Sequence, residues 1–325
     1  MQWNSFPIGS SFVPRDSAQI LANDKNVYLL GGRTWETSEY LNDVWTSTNV
    51  GRSWRKLPQS NTSSFSARSD FAACWSGGYA WVIGGATENV AGFRRGITAT
   101  VFRSSDLITW TPANPLPINL AFMQCAATER ALYTAGGCNQ LSAGSDSCYY
   151  VADIYRAQVS GGSLTWSKIN SLSSIAAFVT FLSAPQALLA VDGQTGVGWS
   201  WRYVIESSRD DGATFSTAPS PWRDVGMSYE GGFVLGDAVY VAGDNKGLLS
   251  MSTDSGVSFE ACNQSGTIPT SLSYTTPMAS SSTRVFVYMN MTVYRGQVVA
   301  TQQAARHHTP PSYPRAQIPA PRPRV

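Results

Sequence analysis

The stretch VYLLGGRTWETSEYLNDVWTSTNVGRSWRKLP, residues 27–58, decides the fold. An apolar run ends in Gly31-Gly32 and a polar loop follows. A second run, Asn42-Asp43-Val44-Trp45, then leads through a tight turn to Trp54. The same order of features returns down the chain. Aligned on the apolar run, the units read VYLLGG (27–32), AWVIGG (80–85), LYTAGG (132–137), LLAVDG (188–193), VYVAGD (239–244) and VFVYMN (285–290). Each is followed by a second short run: DVWTST, TVFRSS, DIYRAQ, YVIESS, LLSMST or TVYRGQ. Trp54, Trp110, Trp166, Phe215 and Phe259 then open a further strand, and stretches such as AQILAN (18–23) and FAACWS (71–76) come before. The pattern gives four short strands per unit at a period of roughly 50, a repeat architecture.

The sixth unit stops after TVYRGQVVA without its fourth strand, and the missing strand stands at the other end of the chain. Gln2-Trp3-Asn4-Ser5-Phe6-Pro7 matches Ser53-Trp54-Arg55-Lys56-Leu57-Pro58. The expected fold is therefore all-β: a single six-bladed β-propeller of four-stranded blades over residues 1–299. The N-terminal strand closes the ring as the outer strand of the last blade, which leaves only short, protected edges. A Pro/Arg-rich tail, residues 300–325, follows.

The Gly-Gly ends and the Asn42-Asp43-Val44-Trp45 segment resemble kelch repeats of the galactose-oxidase-like propellers. The turns beginning Ser47-Thr48-Asn49-Val50-Gly51, Ser208-Arg209-Asp210-Asp211-Gly212 and Ser252-Thr253-Asp254-Ser255-Gly256 resemble the Asp-boxes of sialidases and other propellers. A short Asp, Asn or Ser side chain bonds backbone N–H groups two residues on, and Gly accepts the positive φ of the hairpin. These turns read as self-bonded hairpins rather than calcium loops. The resemblance covers about residues 1–299 and speaks to fold, since such propellers host unrelated activities.

Composition sets bounds. Only 14% of the 325 residues are charged and the net charge is +2, which gives no electrostatic case for nucleic acid. No stretch approaches the ~18 apolar residues of a membrane span, and MQWNSFPIGS does not read as a signal peptide. Of the five cysteines, Cys138 and Cys148 bracket the polar loop NQLSAGSDS, where a disulfide would pin a long excursion. Cys74 and Cys125 fall at near-equivalent positions of neighbouring units; they could pair, but read as buried thiols acting as small apolar residues. Cys262 is left over. This cysteine usage leans towards an oxidising, extracellular or cell-surface location. Sequons at Asn61, Asn263 and Asn290 are compatible with secretion.

Loops between second and third strands share one face with the connections between blades, and long loops on a rigid ring are the usual place for binding. That face is expected to present Arg33, Trp35, Glu36, Arg94, Arg95, Trp199, Trp201 and Arg202, with Arg15, Arg68 and Arg223 from the connections. Exposed Trp beside Arg could bind sugars. The architectural reading of Arg15, Arg68 and Arg223, at matching blade positions, is that they pair with the nearby Asp16, Asp70 and Asp224.

The two histidines, His307 and His308, lie in the tail, so the resemblance does not carry over a copper site, and neither a His-based triad nor a zinc site fits the ring. No metal and no cofactor is implied. Sialidase chemistry would need an arginine triad, a Tyr–Glu pair and an Asp acid. Its Phe/Tyr-Arg-Ile-Pro motif has here only Val13-Pro14-Arg15-Asp16, and no Tyr–Glu pair is assigned. The tail carries Pro310, Pro311, Tyr313, Pro314, Pro319, Pro321 and Pro323 with four arginines and no acidic residue. It reads as a flexible, largely polyproline-like arm, and docked on a neighbouring subunit it would give a head-to-tail contact that propagates as a filament unless it closes. The leading expectation is a non-catalytic structural or assembly propeller whose partner is another copy or another protein. The alternatives are a carbohydrate- or protein-binding propeller that uses the loop face, and a sialidase-like glycosidase in the same cleft.

Overall fold

The computed structural model describes residues 1–9, 12–59, 63–87, 96–141, 148–195, 200–220, 231–242, 249–265, 278–289 and 291–298. Every strand pair in its named sheets is antiparallel, and the described residues contain no helix, hence none able to cross a membrane. The repeat units become antiparallel meanders. In the second sheet Ala72–Ser76, Tyr79–Ile83, Val101–Ser104 and Thr111–Ala113 lie side by side. In the fourth the order is Thr180–Ala184, Ala187–Val191, Val204–Ser208 and Ser216–Pro219. The last meander, Met278–Ser280, Arg284–Met289 and Thr292–Gln297, takes its fourth strand from the other end of the chain. Gln2–Pro7 pairs along Thr292–Gln297, with Trp3 opposite Gly296 and Phe6 opposite Val293.

The first strands of successive sheets lie against one another. Gln19–Ala22 contacts Ala72–Ser76, which contacts Cys125–Ala127, and the series runs on through Thr180–Ala184 and Gly231–Leu235 to Met278–Ser280. Met278–Ser280 in turn contacts Gln19–Ala22. The core follows the same order, because alternate side chains of a strand leave its two faces and each face meets the next sheet. Tyr28, Leu30 and Val44 pack with Ala80, Val82 and Trp110, and Leu189 and Ile205 with Val239 and Val241. Phe286, Tyr288 and Val293 pack with Ile20, Leu29 and Trp45, which joins the last sheet to the first.

Gly31-Gly32, Gly84-Gly85 and Gly136-Gly137 share one left-handed conformation, with φ of 54° and 99° in the first pair and 63° and 105° in the third. A Cβ on Gly136 would stand 2.3 Å from the Ala176 carbonyl of the next connection. The glycines therefore mark where one repeat's backbone closes on the next. In the fourth repeat Asp192 adopts the first of the two conformations, at φ 48°.

At the opposite ends of the sheets the Ser/Asp turns bond themselves. Ser208 Oγ donates to Asp210 Oδ1 (2.8 Å) and accepts from the Gly212 N–H (2.8 Å). Asp210 accepts the Thr214 N–H (2.9 Å) and hydroxyl (2.6 Å). Asp254 accepts the same pair from Ser258, at 2.9 and 2.6 Å. The hydroxyl and amide of Thr214 hold the Asp210 carboxyl down at about 2, and those of Ser258 do the same for Asp254. A folded value below the unfolded one means that the turn's stabilisation is present above the ordinary carboxylate range and is lost as pH falls through about 2. In an NMR titration, Thr214→Ala is expected to move the Asp210 midpoint up towards the ordinary range and leave that of Asp254 in place. An unmoved Asp210 midpoint would show that the turn does not hold the charge.

Two disulfides are present. Cys138–Cys148 closes the hairpin Cys138–Leu141/Cys148–Tyr150 above the third sheet. Cys74–Cys125 joins the first strands of the second and third sheets, which corrects the reading of these two as free thiols. Both sit on neighbouring innermost strands with Cα atoms 6.0 Å apart, within disulfide range. Cys262 is a free, half-buried cysteine.

Candidate functional site

Among the described residues the loop face is built from hairpins that continue the second and third strands of the first four repeats. Arg15–Asp16 adds to the outer end of Val27–Thr34, pairing Arg15 with Thr34 and Asp16 with Arg33. This lifts Trp35 onto the rim, where it is 50% exposed beside exposed Val13 and Pro14. Its N–H donates to the Pro14 carbonyl (3.4 Å). Glu36 and Glu39 are exposed on either side of the same tip. Arg33 is half-buried and lies 3.7 Å from Asp16. Trp201 is half-buried in the short hairpin that pairs it with Gln194.

Arg15, Arg68 and Arg202 are not on that surface. Arg15 is 2% exposed and forks onto Asp43, through Nη1 to Oδ1 and through Nη2 to Oδ2 (3.1 Å). Its Nη1 also donates to the Gly31 carbonyl (3.1 Å). Arg68 is fully buried and is held by five contacts to oxygen. Nη1 donates to the carbonyls of Gly84 (2.6 Å) and Thr100 (3.3 Å), and Nη2 to the Ser66 (2.5 Å) and Thr100 (3.0 Å) hydroxyls. Nε donates to the Ser66 carbonyl (2.9 Å), and burial pulls this guanidinium down to about 10. Arg202 is buried against Glu206 at 2.8 Å. The expectation of exposed binding arginines at these three positions is corrected: Arg15 and Arg68 are spent on capping backbone or pairing inside the fold, and Arg202 is buried beside Glu206. The expected local partners are corrected too: Arg15 pairs across the sheet with Asp43 rather than with Asp16, and Arg68 binds carbonyls and hydroxyls rather than Asp70. Arg94, Arg95, Trp199, Arg223, Asn61, Asn290 and the tail lie outside the described residues. Asn263 is exposed, and its carbonyl accepts from the Met1 ammonium.

A feature that the strand pattern does not announce sits between the sheets. Ser17, Asp70, Phe122 and Phe178 occupy equivalent positions just before the first strands, all left-handed, with φ of 52°, 53°, 58° and 57°. Their backbones form a hydrogen-bonded series: Asp70 N–H to Ser17 O (3.3 Å), Phe122 N–H to Asp70 O (2.9 Å) and Phe178 N–H to Phe122 O (2.9 Å). Each left-handed residue costs about 1–2 kcal/mol, and the series offsets that cost. Their side chains line a cavity of about 110 Å³ together with Gln19 and Gln124. Ligand pockets usually run to about 300–1,000 Å³, so the cavity suits water or a side chain rather than a sugar. The only sequence signal for it is one residue per repeat, two positions after Arg15 and Arg68, with no shared side-chain type. Among the described residues no group of three His, Cys, Asp or Glu side chains could hold a metal ion.

A search of solved structures finds 545 matching chains, so the architecture is widely used and narrows function little. One, titled "Structure of YjhT", matches with a TM-score of 0.60 at 16% identity, covering 77% of this chain and 84% of that one. At that identity the likeness is one of fold: all-β and β-propeller-like. No protein-family model and no curated protein matches the sequence.

Proposed function

We propose that the chain closes into a six-bladed propeller of the kelch/Asp-box kind over residues 1–299 and serves as a non-catalytic structural or assembly module outside the cell or on its surface, with residues 300–325 as its docking arm. The observation that carries the non-catalytic reading is the burial of Arg15 and Arg68. The guanidiniums that a sialidase-like site would aim at a carboxylate are bonded instead to Asp43 and to the Gly84 and Thr100 carbonyls. Ring closure is supported by the pairing of Gln2–Pro7 with Thr292–Gln297 and by the core shared between the last sheet and the first. The extracellular reading is supported by the two disulfides, which persist in oxidising compartments.

The test is sedimentation of the intact chain beside one ending at Ala300. Every described strand lies before Val298, so the shortened chain keeps all of them. Assembly of the intact chain into dimers or longer species, lost on shortening, is the expected result; identical monomers would overturn the assembly reading. Exposed Trp35 favours a second reading, glycan binding by stacking on the loop face.

A further inference from the structure

The chain leaves the described fold at the end opposite the loop face. Gln297 pairs with Gln2, whereas Thr292 pairs with Pro7, and Pro7 leads by way of Phe12 to Arg15 and the Trp35 tip. The exit after Val298 and the tip therefore lie towards opposite ends of the strand Gln2–Pro7, itself about 17 Å long at ~3.4 Å per residue. The tip itself combines a half-exposed indole with exposed Val13 and Pro14 and two carboxylates, Glu36 and Glu39. Among the described residues no cation is paired with either carboxylate. The segment that follows Val298 has the opposite chemistry, with prolines interleaved with arginines in Pro314-Arg315 and Pro321-Arg322-Pro323-Arg324 and no acidic residue. Proline-rich segments dock on exposed aromatic rings because the polyproline II conformer is largely preformed and loses little entropy on binding. Acidic residues beside the ring then select arginine.

Resting on the assembly reading above, we propose that residues 299–325 of one copy dock on the Trp35 tip of a second, the prolines stacking on Trp35 and the arginines pairing with Glu36 and Glu39. The contact joins two different surfaces, the arm of one copy and the loop face of the next. It is heterologous and repeats head to tail.

The experiment measures the binding of a labelled peptide of residues 305–325 to the chain ending at Ala300, by fluorescence anisotropy, beside sedimentation of the full chain. Saturable binding is expected, weakened about tenfold or more by Trp35→Ala, weakened also by Glu36→Lys with Glu39→Lys, and falling as salt rises. The full chain carrying Trp35→Ala is expected to lose its assembly. Trp35 stands half outside the fold, and an unchanged melting curve confirms that the variant is folded. Equal peptide affinity for Trp35→Ala and the parent, with the full chain still assembling, would overturn this site and leave the assembly reading intact. Peptide binding with a full chain that stays monomeric would place the arm on its own ring and overturn docking between copies. A monomeric full chain with no peptide binding would overturn both.

Discussion

Arg15→Ala is expected to lower the unfolding free energy by about 3–5 kcal/mol, the cost of leaving one partner of a buried ion pair behind. The Arg15 side chain is 1% exposed and that of Asp43 11%, so water screens little of the loss. Without the guanidinium, Asp43 keeps the Trp45 indole N–H (2.8 Å) and a distant Lys56 ammonium (3.9 Å). The Gly31 carbonyl loses its cap, and the Phe12 ring loses the cation lying 4.2 Å from its centroid. The double replacement Arg15→Met with Asp43→Leu is expected to cost much less than the single change, because no charge then stays buried unpaired. Urea unfolding of the three proteins checks both statements. A loss under about 1 kcal/mol for Arg15→Ala, the size of a surface pair, would show that the pair is solvated and that Arg15 remains available as a binding residue.

Removing the Cys74–Cys125 disulfide, by Cys74→Ala with Cys125→Ala, is expected to cost about 4 kcal/mol, from the loop-closure entropy of a separation of 51 residues. The same relation gives about 3 kcal/mol for Cys138–Cys148, whose separation is 10. The first bridge crosses from one sheet to the next, so its loss also loosens the seam holding Ala72, Trp81 and Leu132. Denaturant unfolding with and without reductant distinguishes the two. The parent protein is expected to fall on reduction by more than the Cys74→Ala/Cys125→Ala variant does. A parent that unfolds at the same denaturant concentration in both conditions would show that the bridge adds nothing to the fold.

Much of the fold is legible in the sequence because the repeat writes it several times. The apolar runs, Gly-Gly ends and aromatic openers fall on strands or beside them, and the match of Gln2-Trp3 to Ser53-Trp54 places the N-terminal strand against Thr292–Gln297. The turns are legible for a local reason: their hydrogen bonds run between residues two to four apart, as in Ser208 to Gly212. The site is far less legible. Arg15 and Arg68 look like loop-face cations, but whether an arginine points outward or under its own Gly-Gly carbonyl depends on contacts 16 residues away. Asp43 is the partner of Arg15 through a pairing across the sheet, while Asp16, adjacent in sequence, faces Arg33 instead. The Cys74–Cys125 bridge depends on the distance between two sheets, which no spacing within one repeat records. The quartet Ser17, Asp70, Phe122 and Phe178 shares a backbone conformation without a shared side chain, so only coordinates reveal it.

Electron microscopy of the intact chain in end-on view distinguishes a closed ring from an open arc and counts its blades. Class averages with six lobes in an unbroken ring around a narrow centre are expected, with side views in which rings stack loop face to arm. A ring of another number of lobes, or an open arc with a gap between the sheet of Gln2–Pro7 and that of Gln19–Ala22, would contradict the closed six-bladed propeller.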